Sequence, residues 1–424
     1  MVAPIFVGYI FIFLVITIIN YKAGKKDVLY PAFIYSSLWT TVFTAYVFSP
    51  IEVNAISSKT CFLLLFGLIA FSVGCYMGRI FYIKNQAVAK DRPFSNSGKY
   101  FLLFYCFIVF PWYFKDIITA SGGGPFSLAD LRISLVAAAV NGDKVYSSII
   151  TSSIPLISVS TTFILFIDRA KNRKLLYLSL ILSIIYCILN TGRDSLLLLI
   201  SGLIAIFHIE KKSVLPFRKA LFVLGAPIIL LVSAMMAYMF ATHVMGNSDY
   251  STLIVGYFFL YLIGGIPALD SIVKSNNSNE PHHTFQFISQ ISNTLFGTHV
   301  AIPPPIDAFV NVPFPTNVYT VYKFYFQDFG FMGTLLTIII IGMVHGILYR
   351  KAKTGSRYGI YFYALSMHPL LMSFFDDNYS NFRGHIRNSL VVIMCYFIIP
   401  ELMNFFSRSN YEGNLVWRRQ NRAK

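Results

Sequence analysis

Charge is what this sequence has least of. Of its 424 residues, 12% are charged, 56% are hydrophobic and 17% are aromatic. A water-soluble domain carries about twice this share of charged residues, so a soluble enzyme or binding module is excluded. Cysteine is scarce as well, and all five cysteines lie inside apolar runs. A disulfide framework and a cysteine zinc site are therefore not expected.

Motifs for nucleotides and metals are also missing. The chain has no Gly-x-x-x-x-Gly-Lys phosphate loop and no Gly-x-Gly-x-x-Gly after a strand,. Outside the apolar runs, the nearest approach to a metal-binding cluster is Asp376-Asp377, and two adjacent carboxylates on a turn are weak support for one,. We therefore predict no cofactor and a reaction that does not depend on a metal.

Long apolar runs fill the chain instead. About eleven of them reach membrane-spanning length, at 2–20, 28–49, 60–83, 99–119, 147–167, 175–190, 194–209, 218–242, 331–349, 358–375 and 386–406,. They predict an all-α, polytopic integral membrane protein in which residues 1–424 form a single multi-pass domain.

The basic residues give this protein an orientation. The loops alternate between a basic set, which holds 25 of the 34 lysines and arginines, and a set that holds nine. This is the positive-inside pattern, which puts the N-terminus outside and the C-terminus inside. The net charge of +16 is accounted for in this way, so we expect no nucleic-acid partner. The nine outer residues are Lys59, Lys115, Arg132, Lys144, Arg193, Lys274, Lys323, Arg383 and Arg387.

Two outer loops are long, at 115–146 and 243–330. In the first, a Gly-Gly-Gly-Pro run precedes Ser127, which can cap a short helix that carries Arg132,. In the second, the apolar stretch 251–273 is broken by glycine and proline, and we expect a re-entrant or surface-lying pair of helices,. The second loop ends in aromatic residues mixed with polar ones, a composition suited to sugar rings; the candidate glycan-binding residues are Tyr319, Tyr322, Lys323 and Asp328.

The segment Asn190–Ser195 is the strongest functional signal. Gly192 and Arg193 stand at a short turn between two apolar runs, on the outer side, and Ser195 opens the next helix. A guanidinium beside a helix N-terminus forms a phosphate site. The plain structural alternative is an arginine that snorkels to the interface. A pyrophosphate needs more than one cation, and the other outer arginines available for it are Arg132, Arg383 and Arg387,.

Several groups could act as the base that activates a sugar hydroxyl. The candidates are His299, Asp376 and Asp377, with Asp328, His282, His283 and His385 as further choices,. His345 and His368 lie within apolar runs, where a functional role and a helix–helix hydrogen bond are comparable expectations,.

At four places the chain resembles the bacterial O-antigen polymerases, also called oligosaccharide repeat-unit polymerases. These places are Gly122-Gly-Gly-Pro through Arg132, Thr191-Gly-Arg193, Asn317 through Gly330, and Ser373 through Tyr379. The resemblance implies an inner-membrane glycosyltransferase that acts at the periplasmic face on oligosaccharides carried by undecaprenyl pyrophosphate. It also implies that Arg193 and Arg132 hold the pyrophosphate, that the large outer loop holds the glycans, and that a flippase and a chain-length regulator are partners.

Two other functions are compatible with the same pattern. An O-antigen ligase uses the same donor but transfers the glycan to the lipid A core. A flippase or transporter of lipid-linked oligosaccharides is a different class, and it needs charges deep within several helices, whereas the charges here lie mostly at helix ends,. No inverted repeat is visible in the sequence, which also disfavours a transporter.

Overall fold

The computed structural model describes residues 4–84, 94–121, 128–141, 145–169, 173–190, 193–211, 250–275, 283–300, 309–313 and 315–380. Within these ranges the protein is helical apart from one two-stranded ribbon. The helices are α1 (Pro4–Ala23), α2 (Pro31–Val47), α3 (Ser58–Lys84), α4 (Asn96–Ala120), α5 (Leu128–Asn141), α6 (Ile149–Ile167), α7 (Arg173–Leu189), α8 (Arg193–Glu210), α9 (Tyr250–Ile263), α10 (Gly265–Ser275), α11 (Gln286–Phe296), α12 (Tyr322–Lys353) and α13 (Arg357–Leu371). The strands are β1 (Val310–Asn311) and β2 (Pro315–Thr316), which pair antiparallel.

Helices lie at nine of the eleven predicted apolar segments; 218–242 and 386–406 fall outside the described residues. Five of the described helices are long and apolar enough to cross a membrane: α1, α3, α4, α6 and α12. Their exposed faces are rich in large apolar side chains, such as Phe11, Phe104 and Leu336. Surfaces of this kind need lipid to cover them, and the protein is a multi-pass membrane protein.

The structure agrees with two expectations about short helices, and two predicted helices have different bounds. The stretch 251–273 is a broken pair of helices, α9 and α10, divided at Gly264. Arg132 lies on the short helix α5, whereas its predicted cap Ser127 lies outside the described residues. The predicted helix 331–349 begins earlier, at Tyr322, and the predicted helix 358–375 ends at Leu371.

The central helix pair is α3 and α12, which is built on two matching glycine motifs. A Cβ atom at Gly74 would lie 2.1 Å from the Ile339 carbonyl oxygen, and one at Gly346 would lie 2.2 Å from that of Cys75. Gly74 and Gly78 on α3 have three residues between them, and so do Gly342 and Gly346 on α12. Each pair therefore lies on one helical face, where the two backbones can touch,.

A sharp kink at Gly330 divides α12 into a short arm (Tyr322–Phe329) and a long arm. Gly330 has φ 64° and ψ −164°, a conformation that a side chain disfavours,. The long arm begins beside α3 where the Phe331 ring lies 6.4 Å from that of Phe66. A straight helix would carry Tyr322 past the start of α3, but its ring instead abuts Gly67. The kink therefore sets Tyr322 on the order of 10 Å deeper than a straight helix would.

Contacts between loops divide the molecule into two ends, which we call inner and outer after the charge pattern. At the inner end, Lys353 Nζ lies 2.5 Å from Asp27 Oδ2, and Asp168 pairs with both Lys99 and Arg357. These pairs join the loops that the sequence placed in its basic set. At the outer end lie the turns around Ser57, Ser147 and Asn190, together with α9–α11.

Candidate active site

Two segments of irregular backbone meet towards the outer end. One runs from Asn317 into the short arm, and the other is the turn from Met372 to Ser380 that follows α13. The Val321 amide donates to the Ser373 carbonyl at 2.9 Å. Gly265 of α10 packs against both, since a Cβ there would lie 2.9 Å from the Phe374 carbonyl and 3.4 Å from the Tyr319 carbonyl carbon. Non-helical backbone is tolerated at membrane depth only where protein or a cavity surrounds it.

Asp377 lies at the centre of this junction and is 0% exposed. Its Oδ1 accepts hydrogen bonds from the Tyr325 hydroxyl at 2.9 Å and from the amides of Tyr379 at 2.9 Å and Ser380 at 3.3 Å. Its Oδ2 is buried and has no hydrogen-bond partner among the residues that the structure describes. Burial raises the pKa of Asp377 from 3.8 to about 6, because a low-polarity surrounding disfavours the carboxylate. A buried oxygen of this kind is a place where a substrate donor can bind.

Asp376 is the other carboxylate that the sequence offered here. It is only partly buried, and its Oδ1 accepts the Asp377 amide at 2.7 Å. The two neighbours thus occupy different surroundings: Asp377 points into the protein and Asp376 towards the surface. The sequence alone did not distinguish them as candidate bases.

A chain of buried hydroxyl and imidazole groups surrounds Asp377. His345 Nε2 lies 2.8 Å from the Tyr379 hydroxyl, and the Tyr35 hydroxyl donates to that of Tyr322 at 2.7 Å. The Ser380 hydroxyl donates to that of Tyr325 at 3.2 Å. The bond from His345 to Tyr379 ties the Met372–Ser380 turn to α12, and the bond from Tyr35 to Tyr322 ties α2 to the short arm.

Sequence reasoning singled out His345 as an intramembrane histidine but missed Tyr325, Tyr379 and Ser380. Tyr325 was one of many aromatics in its stretch, and the other two stood beside the conspicuous acid pair. The kink at Gly330 brings Tyr325 to Asp377, and no local sequence pattern predicts that contact.

The four predicted glycan residues fall on the same junction, but they are less open than sugar binding suggested. Tyr322 and Asp328 are buried, and Lys323 is 6% exposed. The Lys323 ammonium lies 4.0 Å from the Tyr319 ring centroid and 4.8 Å from that of Phe324, which stabilises it as a cation.

Asp328 has a partner that its sequence position did not show. It accepts the Thr284 amide at 2.6 Å and the His283 amide at 3.4 Å. The His283 ring stacks on Phe324, 4.9 Å between centroids. Asp328 therefore ties the short arm to the segment leading into α11. These contacts support a positioning role for Asp328.

The hydrogen bonds around His299 are local to its own turn. His299 is exposed, on the turn that follows α11. The hydrogen bonds of this turn join Thr298 to Ser292 and Asn293, and Val300 to Asn293. Of the other histidines proposed as bases, His282 and His385 lie outside the described residues.

The Arg193 turn lies beside the last turns of α13. Arg193 is the first residue of α8, and the Oδ1 of its neighbour Asp194 is 3.9 Å from His368 Nε2. His368 accepts, through its carbonyl, the amide of Met372, where the Asp377 turn begins. The start of α8 at Arg193 therefore lies near His368 towards the end of α13, four residues before the Asp377 turn begins at Met372.

Polar contacts hold this outer corner together. The Tyr146 hydroxyl donates to Asn190 Oδ1 at 2.8 Å, and the Asn190 amide group donates to the Ser195 hydroxyl at 3.3 Å. The Ser147 amide and hydroxyl donate to Asp116 Oδ2 at 3.0 and 2.9 Å. Of the remaining candidate arginines, Arg132 is partly buried on α5, while Arg383 and Arg387 lie outside the described residues.

Within the described part of the chain, no group of three or more histidine, cysteine, aspartate or glutamate side chains is arranged to hold a metal.

Comparison with known proteins gives one relationship that spans most of the molecule. Over 388 residues the chain is 23% identical to an O-antigen polymerase of Shigella dysenteriae, covering 88% of this chain and 92% of that protein. No protein-family model matches the sequence, and no solved structure matches it. This similarity extends over most of the chain and supports the resemblance to the O-antigen polymerases.

Proposed function

We propose that this protein is a polysaccharide polymerase that joins lipid-linked oligosaccharide repeat units by glycosyl transfer. The relative named O-antigen polymerase supports the reaction class. The observation that carries the proposal is Asp377, a buried carboxylate with one oxygen already engaged and the other without a partner. The donor and acceptor are taken to be oligosaccharides on undecaprenyl pyrophosphate, handled at the periplasmic face of the inner membrane.

The reaction follows from these groups. A sugar hydroxyl of the acceptor donates its hydrogen bond to Asp377 Oδ2, and Asp377 removes the proton as the oxygen attacks the anomeric carbon of the donor glycan. The bond from that carbon to the pyrophosphate oxygen breaks, and lipid pyrophosphate leaves with the electron pair. A base with a pKa near 6 is ionised at neutral pH and still accepts a proton readily,. Entry of the hydroxyl requires the Met372–Ser380 turn to shift, because the Asp377 side chain is fully buried.

The hydrogen bonds to Asp377 Oδ1 hold the base in place. Tyr325 donates from the short arm, while the amides of Tyr379 and Ser380 donate from the turn itself. His345 in turn fixes Tyr379. Orientation of this kind is worth several kcal/mol in a reaction between bound partners.

Cations are needed at the leaving group, where negative charge develops. Arg193 stands at the N-terminus of α8, and its neighbour Asp194 contacts α13 just before the Asp377 turn. A guanidinium and the free amides of a helix N-terminus together suit a pyrophosphate. Arg132, Arg383 and Arg387 complete the proposed set, and no metal is assigned to it. The buried Lys323 and its aromatic neighbours are proposed to line the glycan side.

The decisive experiment is the lipopolysaccharide pattern of a strain that lacks this gene. Loss of a polymerase leaves single repeat units attached to the core, because a ligase and a flippase still act. Loss of a ligase leaves the core bare, while long glycans accumulate on their lipid carrier. Loss of a flippase leaves the core bare with no external glycan. Single-unit bands that become a ladder when the gene is restored support the proposal; a bare core overturns it.

The neighbours of such an enzyme follow from its substrate. A flippase must supply repeat units to the outer face, and a chain-length regulator must limit the product. Both are proposed partners.

A further inference from the structure

Among the side chains of helix α11 that the structure describes, polar ones face the protein and large apolar ones face outward. Gln286 is 1% exposed, and Asn293 is partly buried and bonded to Val300. On the other side, Ile288 is 59% exposed and Phe296 is 77% exposed. A helix that turns polar groups to the protein and apolar groups outward is suited to a lipid surrounding.

The exposed side of α11 continues onto α12 as one apolar surface. The Phe285 ring lies 6.0 Å from that of Phe329, at the end of the short arm, and both are exposed. Met332 and Leu336 follow on the long arm, also strongly exposed. We call the surface made by Phe285, Ile288, Phe296, Phe329 and Met332 the apolar platform. It is continuous with the exposed face of α12, a helix long and apolar enough to cross a membrane, so we expect hydrocarbon to cover it.

The platform is also attached to the candidate active site. Asp328 binds the backbone amides of Thr284 and His283, which precede α11. Phe329 follows Tyr325 by four residues, and Tyr325 donates to Asp377. One helical turn, about 6 Å of rise, thus separates the residue that binds the base from the residue that belongs to the platform.

We propose that the apolar platform binds the isoprenoid chain of the lipid-linked substrate where it leaves the membrane and meets the active site. This inference rests on the proposed function. Bulk phospholipid would cover any exposed apolar face, but this face joins the arm that carries Tyr325, through the contact of Phe285 with Phe329. A substrate whose cleaved bond adjoins its lipid tail needs an apolar surface at this distance from the base.

Two substrates and a matched pair of variants test the proposal. Ile288 and Ile181 are equally exposed, at 59% and 58%, but Ile181 lies on α7, away from the platform. Purified protein is assayed with repeat units on the full-length polyprenyl pyrophosphate and on a two-isoprene analogue. For Ile288→Ser we expect KM for the full-length carrier to rise about tenfold, because part of the buried apolar side chain is lost, with kcat unchanged and with no change for the analogue. Ile181→Ser should change neither. Equal effects on both substrates, no effect, or the same effect from Ile181→Ser would overturn the proposal.

A binding experiment separates this inference from the proposed function. A photoreactive benzoylphenylalanine at position 288 or 181 is irradiated with radiolabelled polyprenyl phosphate in phospholipid vesicles. Labelling at 288 well above that at 181 supports the platform, even in a preparation that transfers no glycan. Turnover with equal labelling at both positions keeps the polymerase and removes the platform. Met332→Ser serves as the second variant if Ile288→Ser does not accumulate.

Discussion

Replacing Asp377 with asparagine separates a catalytic base from a structural anchor. Asparagine has the same shape, and its Oδ1 can still accept the bonds from Tyr325 and from the amides of Tyr379 and Ser380. What it cannot do is take a proton. We therefore expect polymerisation to fall by about a hundredfold to ten-thousandfold, whereas the amount of protein in the membrane stays normal.

The stability of the same variant carries a second, independent signature. Asp377 has a pKa of about 6 in the folded protein and an ordinary value of 3.8. The folded state therefore binds the proton more tightly than the unfolded chain, so wild-type stability falls as pH rises from about 4 to about 6 and stays lower above that. The difference corresponds to about 3 kcal/mol at neutral pH. Asparagine does not titrate, so the variant does not lose this stability as the pH rises.

The measurement is thermal unfolding of both proteins in the same detergent at pH 4 and at pH 7. Relative to wild type, Asp377→Asn should gain about 3 kcal/mol between the two pH values. At each pH there is also a constant cost of about 1–3 kcal/mol, because the new amide N–H groups are buried without acceptors. The other titratable groups are the same in both proteins, so their contributions largely cancel in the comparison.

Asp376→Asn is the matched control, since this neighbour is only partly buried, whereas Asp377 accepts the hydrogen bond from the Tyr325 hydroxyl. It should keep most of the activity. Normal ladders from Asp377→Asn at normal abundance would refute the assignment of the base. A loss of stability that is equal at both pH values, with activity lost only in proportion to abundance, would make Asp377 an anchor of the turn instead.

Three further predictions concern charge, metal and orientation. Arg193→Ala should abolish long chains and leave single repeat units, and Arg193→Lys should restore only weak polymerisation because it lacks the planar fork; near-normal ladders from lysine would favour a snorkelling residue. Polymerisation by the purified protein should persist in excess chelator, and recovery on addition of magnesium after a loss would contradict this. In a background without native cysteines, a cysteine at the exposed Asn311 should react with an impermeant thiol reagent in intact spheroplasts and one at the exposed Thr354 should not,; the reverse labelling would invert the topology.

What the sequence by itself determined is the membrane character, most helix positions and the split of the loops into two sets. These properties are local. A run of apolar residues must form a helix in lipid because its backbone groups have no other partners. Each basic cluster can be identified from its own residues, without knowing what it contacts. The break of 251–273 into α9 and α10 was also predictable, since Gly264-Gly265 and Pro267 stand in the sequence. The resemblance to the O-antigen polymerases came from short patterns, and the similarity to the Shigella dysenteriae protein supports it.

Only the tertiary structure decided which polar residues belong together. Asp376 and Asp377 are neighbours in sequence, yet burial gives them different surroundings, and burial depends on packing from α10 and α12. Tyr325 reaches Asp377 across 52 residues of chain because Gly330 adopts a positive φ and turns the short arm inward. The outward apolar face of α11 likewise follows from the surface it rests on. Contacts between distant segments are selected by the free energy of the whole packed molecule, and no local pattern in the chain records them.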